Sequence, residues 1–225
     1  MFFKISACTL LVISALALFT STTPVDAHSW AACIDWRFKH GKEAWGDDDG
    51  ECMGFARRFP LGKGFASLDH ANPGRHYQQD GDHAPACSDG EHGKDVGSNE
   101  TRADPPEKAY GGKYGAMTVT SVGKKLCVRW PAKNHAEENE SDKLMVLINL
   151  AKEGGKDPSQ DVLTDSLVVG IPYKNCDKGP VPDERPCGGC FTVPSRAPGI
   201  YTLQWRWMLN KGEWYTSCAD IKIEA

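Results

Sequence analysis

The chain has 225 residues, 40% of them hydrophobic, and a net charge of −4 from 26 Lys/Arg and 30 Asp/Glu. That balance gives no case for nucleic-acid binding and no global attraction for an acidic polymer. The length suits one sizeable core rather than two.

The first segment reads as a secretory signal. Lys4 supplies a positive start, Ala7 to Phe19 is an almost unbroken apolar run, and Val25 and Ala27 are small residues spaced for a cleavage site. The run is short for a bilayer span. Residues 1–27 are expected to be removed and residues 28–225 to form a single secreted domain with no membrane attachment, beginning at His28. The domain keeps eight cysteines, at 33, 52, 87, 127, 176, 187, 190 and 218. An even number in a secreted chain predicts up to four disulfides, whose pairing the sequence leaves open. Cys187-Gly-Gly-Cys190 has redox or zinc spacing, but without a second such pair the structural disulfide is the better reading. Asn99-Glu100-Thr101 and Asn139-Glu140-Ser141 are glycosylation acceptors.

His28 to Phe38 alternates mildly and reads as a first strand or extended arm. From about Lys39 to Gly115 the chain is rich in Gly, Asp, Pro, His and Arg, far longer than an ordinary connection. Cys52 and Cys87 are expected to pin it, with short helical turns near Gly50–Phe59. Strand signals then follow in series: Met117–Ser121, Leu126–Trp130, Leu144–Asn149, Leu163–Pro172, Cys190–Val193, Tyr201–Leu209 and Trp214–Ile223. The last two suggest a hairpin around Asn210-Lys211-Gly212. Short strands punctuated by turns predict a mostly β fold, an immunoglobulin- or fibronectin-like antiparallel sandwich with long disulfide-pinned loops.

Chemistry concentrates at three places. An N-terminal His28 offers its α-amine and a ring nitrogen, two of the ligands copper(II) prefers in tetragonal geometry. His135 directly follows the strand Leu126–Trp130 and the turn Pro131-Ala132-Lys133-Asn134, unlike His40, His70, His76, His83 and His92 in the loop-rich region. Glu213 and Tyr215, two apart in the closing strand, share one face. Taken singly, Tyr215 reads better as a core or rim aromatic and Glu213 as a solvated charge near the turn. The spacings among His70, His76, His83 and His92 match no zinc motif, and Asp47-Asp48-Asp49 lacks the continuation of a calcium loop, so a solvated turn is the better reading.

An N-terminal His, a Trp-Pro-Ala-Lys-Asn-His135 segment and a closing Glu213-Trp-Tyr-Thr-Ser-Cys-Ala-Asp-Ile221 strand together resemble the lytic polysaccharide monooxygenases over the whole mature chain. The His-Ser-Trp-Ala-Ala-Cys start and the cysteine-rich first half are most similar to the oomycete pectin-active group, auxiliary activity family seventeen. The resemblance implies one copper held by the amine and ring of His28 and the ring of His135, with Tyr215 axial and Glu213 where cellulose-active relatives carry Gln. It implies oxidative cleavage of plant cell-wall polysaccharide, pectin first, by a monomer using an external electron donor and O2 or H2O2. Cellulose or chitin as substrate, a non-catalytic copper-binding protein of the same fold, and a metal-free carbohydrate-binding or effector module are the other readings. A polyanionic pectin wants local positive charge, and Arg57, Arg58, Lys63, Arg75 and His76 are candidates to line such a surface. Against this, residues 40–115 hold nine Lys/Arg and fourteen Asp/Glu, a net of −5.

Overall fold

A computed structural model describes residues 29–57, 76–79, 86–89, 94–95, 115–133, 144–178, 185–210 and 212–225, with backbone alone at 76–79, 88–89, 94–95, 210 and 213. The strands are β1 (Trp36–Phe38), β2 (Gly50–Cys52), β3 (His76–Gln79), β4 (Ser88–Asp89), β5 (Lys94–Asp95), β6 (Thr118–Ser121), β7 (Lys125–Pro131), β8 (Met145–Leu150), β9 (Leu167–Pro172), β10 (Pro186–Thr192), β11 (Gly199–Asn210) and β12 (Glu213–Glu224), with helix α1 (Gln160–Thr164) between β8 and β9.

The architecture is a β-sandwich built on strand alternation. In β11, Tyr201, Leu203, Trp205 and Trp207 face inward. In β12, Tyr215, Ala219, Ile221 and Ile223 do the same, and β8 adds Val146, Ile148 and Leu150. These three belong to one six-stranded sheet, ordered β3-β12-β11-β8-β9, with β6 running parallel to the far end of β12. Opposite lies the antiparallel pair β7–β10, contributing Leu126, Val128, Trp130, Cys187 and Phe191 to the same core. Trp130, Trp205 and Trp207 are fully buried. Each indole buries on the order of 150–250 Å² of surface, so this trio dominates the core.

Both sheets are covered on their outer faces as well. On the β7–β10 side, Cys127 and Arg129 point away from the core toward Cys33, Trp36 and Trp45. On the six-stranded side, Cys218 meets Ala86, Cys87, Ala151 and Leu163. There the Gln204 side chain bonds Asn149, Gln160 and the Ala86 carbonyl. Polar residues at alternate strand positions are therefore buried beneath loops.

All eight cysteines from Cys33 onward pair: Cys33–Cys52, Cys87–Cys218, Cys127–Cys190 and Cys176–Cys187. Cys52 and Cys87 do pin the loop-rich stretch, to the arm and to β12. Cys187 and Cys190 lie three apart in a strand and so face opposite sides. Cys187 joins the core and Cys190 the outer cluster, which rules out a bond between them. The two glycines between are needed for space. A Cβ on Gly188 would sit 2.1 Å from the Trp45 ring, and one on Gly189 would sit 2.4 Å from Ile171.

The hairpin around 210–212 is present, with Gly212 at φ +81° and a register shift between Met208 and Asn210. Two expectations need correction. The segment read as a strand from Leu163 starts as helix: Gln160–Thr164 is α1, and β9 begins at Leu167. Helical structure expected near Gly50–Phe59 lies just before it, as a 3-10 turn at Asp47–Asp49 with its acids unburied, and Gly50–Cys52 is strand. Of residues 29–38, Trp36–Phe38 is strand and the residues before it form a docked arm, in line with the reading of a strand or extended arm. Among the described residues, no helix is long and apolar enough to cross a membrane.

Candidate metal centre at the start of the arm

The arm is joined to the edge of β7. Arg129 and Cys33 form an antiparallel bridge, with Arg129 N–H donating to the Cys33 carbonyl at 2.9 Å. The Arg129 carbonyl accepts from the amides of Ala32 at 2.8 Å and Cys33 at 3.2 Å. Nearer the start of the arm, the Ser29 hydroxyl donates to the Pro131 carbonyl at 2.8 Å, buried. On its other side the arm meets β12: the Ala31 amide donates to the Ser217 hydroxyl at 3.1 Å. Residues 29–32 thus lie between the end of β7 and the start of β12.

The end of β7 is held from below. Tyr173 Oη donates to the Ala132 carbonyl at 2.7 Å, and the Ala132 amide donates to the Arg185 carbonyl. Trp130 Nε1 donates to the Tyr173 carbonyl at 3.1 Å. Tyr173 in turn stacks on Trp207, ring centroids 4.0 Å apart. Trp207 is the cross-strand partner of Tyr215, with ring centroids 5.8 Å apart. Stacked and tilted pairs at these separations add directional preference to area burial. One packed column therefore joins the turn after β7 to Tyr215.

Tyr215 is third in β12, 6% exposed and part of the core cluster. The backbone of Glu213 opens the same strand, and its side chain lies outside the described residues. His28 and His135 lie outside them too, as do Asn99 and Asn139. What the structure gives for the two histidines is their chain neighbours. Ser29 follows His28, Lys133 precedes His135 by two, and Ser29 is bonded to the turn that Lys133 ends. Among the described residues no group of three His, Cys, Asp or Glu could hold a metal.

Sequence reasoning missed the supports. Ser29, Ser217 and Tyr173 are common residue types with no local pattern to mark them, and their roles come from contacts across 102, 186 and 41 positions. β3 was also missed. Its four residues pair with the start of β12, Tyr77 opposite Tyr215 and His76 opposite Thr216. The loop-rich stretch thus borders the candidate site.

Arg57 does not line a surface for a polyanion. It is 1% exposed, and its guanidinium bonds both Asp157 oxygens at 2.7 Å and both Asp220 oxygens at 2.8 and 3.1 Å. Burial alone would lower its pKa, but the hydrogen bonds and charges of the two aspartates outweigh this and raise it. Asp220 is itself buried and occupies an outward position of β12, so Arg57 is its counter-ion. Arg58, Lys63 and Arg75 lie outside the described residues, as does the side chain of His76. Arg129 is the opposite case. Burial lowers its pKa despite the bond to Asp47, which is largely exposed.

No family model matches the chain, and no curated protein matches it. Among solved structures it is similar to an AA10 lytic polysaccharide monooxygenase from Streptomyces lividans, at 17% identity and a TM-score of 0.40, over 72% of this chain and 80% of that one. It is similar to a chitin binding domain from Burkholderia pseudomallei, at 12% and 0.37, over 87% and 85%. A third is the catalytic domain of the monooxygenase Lmo2467 from Listeria monocytogenes, at 20% and 0.31, over 49% and 61%.

Proposed function

We propose that the protein is a secreted, copper-dependent polysaccharide monooxygenase, beginning at His28 after loss of residues 1–27. The α-amine and ring of His28 and the ring of His135 would hold the copper, with Tyr215 as a weak further ligand and Glu213 close to it. One observation carries this reading: the arm runs antiparallel along β7, away from the turn that leads to His135, so that Ser29, next to position 28, lies at that end of β7. From the Cys33–Arg129 bridge, positions 28 and 134 are each five residues further on. The Ser29–Pro131 and Ala31–Ser217 bonds keep that end of the arm against β7 and near Tyr215. Four disulfides fit the proposed secretion.

The donor set suits the metal. Three nitrogen donors and a weak oxygen donor are a set that would suit copper(II), whereas a structural zinc site would want four strong ligands. When bound, copper supplies one-electron redox chemistry that activates O2 or H2O2, with electrons from an external reductant. The protein's part is to fix geometry. Ser29 anchors the residue next to the amine, and Tyr173 secures the turn before His135. The buried Trp30 excludes water behind the arm. Pectin is the proposed substrate on the sequence resemblance alone. With Arg57 buried, the positive charge for a galacturonan has to come from other residues.

The test is mass spectrometry of the secreted N-terminus, then copper titration of wild type and His135→Ala, then product mass spectra on pectin, cellulose and chitin with reductant. The expected results are an N-terminal His28, copper binding lost in the variant, and oxidised oligogalacturonides. Wild-type copper affinity in His135→Ala would refute the ligand set. Copper binding without oxidised products from any substrate would make this a non-catalytic copper-binding protein. Products from chitin alone would remove the pectin assignment.

A further inference from the structure

Resting on the copper reading above, we propose that Lys133 is a positioning residue. Its ammonium, seated on the Trp30 indole, locks the turn leading to His135 against the arm that follows His28.

Lys133 Nζ lies 5.1 Å from the centroid of the Trp30 ring, within reach of a cation–π attraction, for which Trp is the best partner. Trp30 is an immobile platform: it is fully buried and packs with Ala32 and Phe55. The Phe55 amide in turn donates to the Ala116 carbonyl. The Trp30 indole N–H has no hydrogen-bond partner among the described residues, so packing and the ammonium fix the ring. Lys133 itself is half-buried and adopts φ +48°, a left-handed backbone that a lysine rarely takes. Such a conformation persists where surrounding contacts over-determine it. The turn is over-determined here from both sides, by Tyr173 on the Ala132 carbonyl and by Trp30 under the Lys133 side chain.

The contact joins the same two segments as the Ser29–Pro131 hydrogen bond. Two ties at different points along paired segments remove relative rotation as well as separation. A lysine on the surface would carry no such consequence for a ligand two residues away.

The test uses the mature, copper-loaded chain. Lys133→Gln keeps a polar side chain only one atom shorter and the backbone strain but removes the charge. Lys133→Arg keeps the charge over the ring. Copper(II) affinity is measured by chelator competition, and the coordination is read by electron paramagnetic resonance. Lys133→Gln should bind copper roughly three- to tenfold more weakly, the range a partly desolvated cation–π contact supplies. Its parallel copper hyperfine splitting should change, a readout that a loss of fold stability alone would not move. Lys133→Arg should restore both affinity and spectrum. Wild-type affinity and spectrum in Lys133→Gln, alongside loss of copper in His135→Ala, would overturn the positioning role and leave the copper reading standing. An Arg variant as defective as Gln would overturn it too. Failure of the wild-type protein to bind copper would overturn both readings together.

Discussion

Ser29 and Pro131 are 102 positions apart in sequence and joined by a buried 2.8 Å hydrogen bond from hydroxyl to carbonyl. Ser29→Ala leaves the carbonyl without its short donor, since Tyr173 Oη lies 3.5 Å from it. The expected cost is about 1–3 kcal/mol, read by urea unfolding, together with weaker copper binding. A variant as stable as wild type, with unchanged copper affinity, would mean that the start of the arm is not held there.

The Arg57–Asp157–Asp220 cluster ties the segment that ends at Arg57 to β12 and to the segment before α1. Arg57→Met removes the cation from a fully buried Asp220 and should cost about 3–5 kcal/mol. The pKa of Arg57 is raised, so its stabilising contribution is fully present below the ordinary arginine range and is lost only as pH rises beyond it. Across neutral and mildly alkaline pH the wild-type-minus-variant stability difference should therefore show no loss from the arginine. A decline between pH 7 and 10 in chemical denaturation would contradict this.

Gly188→Ala should destabilise by about 1–3 kcal/mol, because the new methyl would sit 2.1 Å from the buried Trp45 ring and one of the two must shift. The thermal midpoint reports the effect. Near-ultraviolet circular dichroism should change in the tryptophan region if Trp45 is the group displaced.

Replacing Cys87 and Cys218 together by Ala removes the bridge with the largest sequence separation, 131. A long closed loop gains most from a cross-link in the chain-entropy account, and the expected loss is about 2–5 kcal/mol. Limited proteolysis should then cut between residues 58 and 114 sooner than in wild type. Equal proteolysis rates would show that the polar layer around Gln204 and Arg57 holds the segment unaided.

Much of the sandwich was legible in the sequence because alternation is local. Leu203, Trp205 and Trp207 announce one buried face of β11, and Asn210-Lys211-Gly212 announces its turn. The other face of β11 depends on a second layer. Thr202, Gln204 and Arg206 are polar yet buried, so residue polarity and exposure part company there. Leu163 was read into a strand because an apolar run of that length does not separate strand from a one-turn helix.

The candidate site divides in the same way. The cleavage pattern before His28, the two-residue spacing of Glu213 and Tyr215, and the even cysteine number are short-range or compositional facts, available without a fold. Disulfide partners, the burial of Arg57 and the docking of Ser29, Ser217 and Tyr173 depend on which distant segments meet. That depends on strand order and register, set by the collective packing of Trp130, Trp205 and Trp207. No stretch of the chain encodes those partners by itself, because the energy that selects them is shared over the whole core.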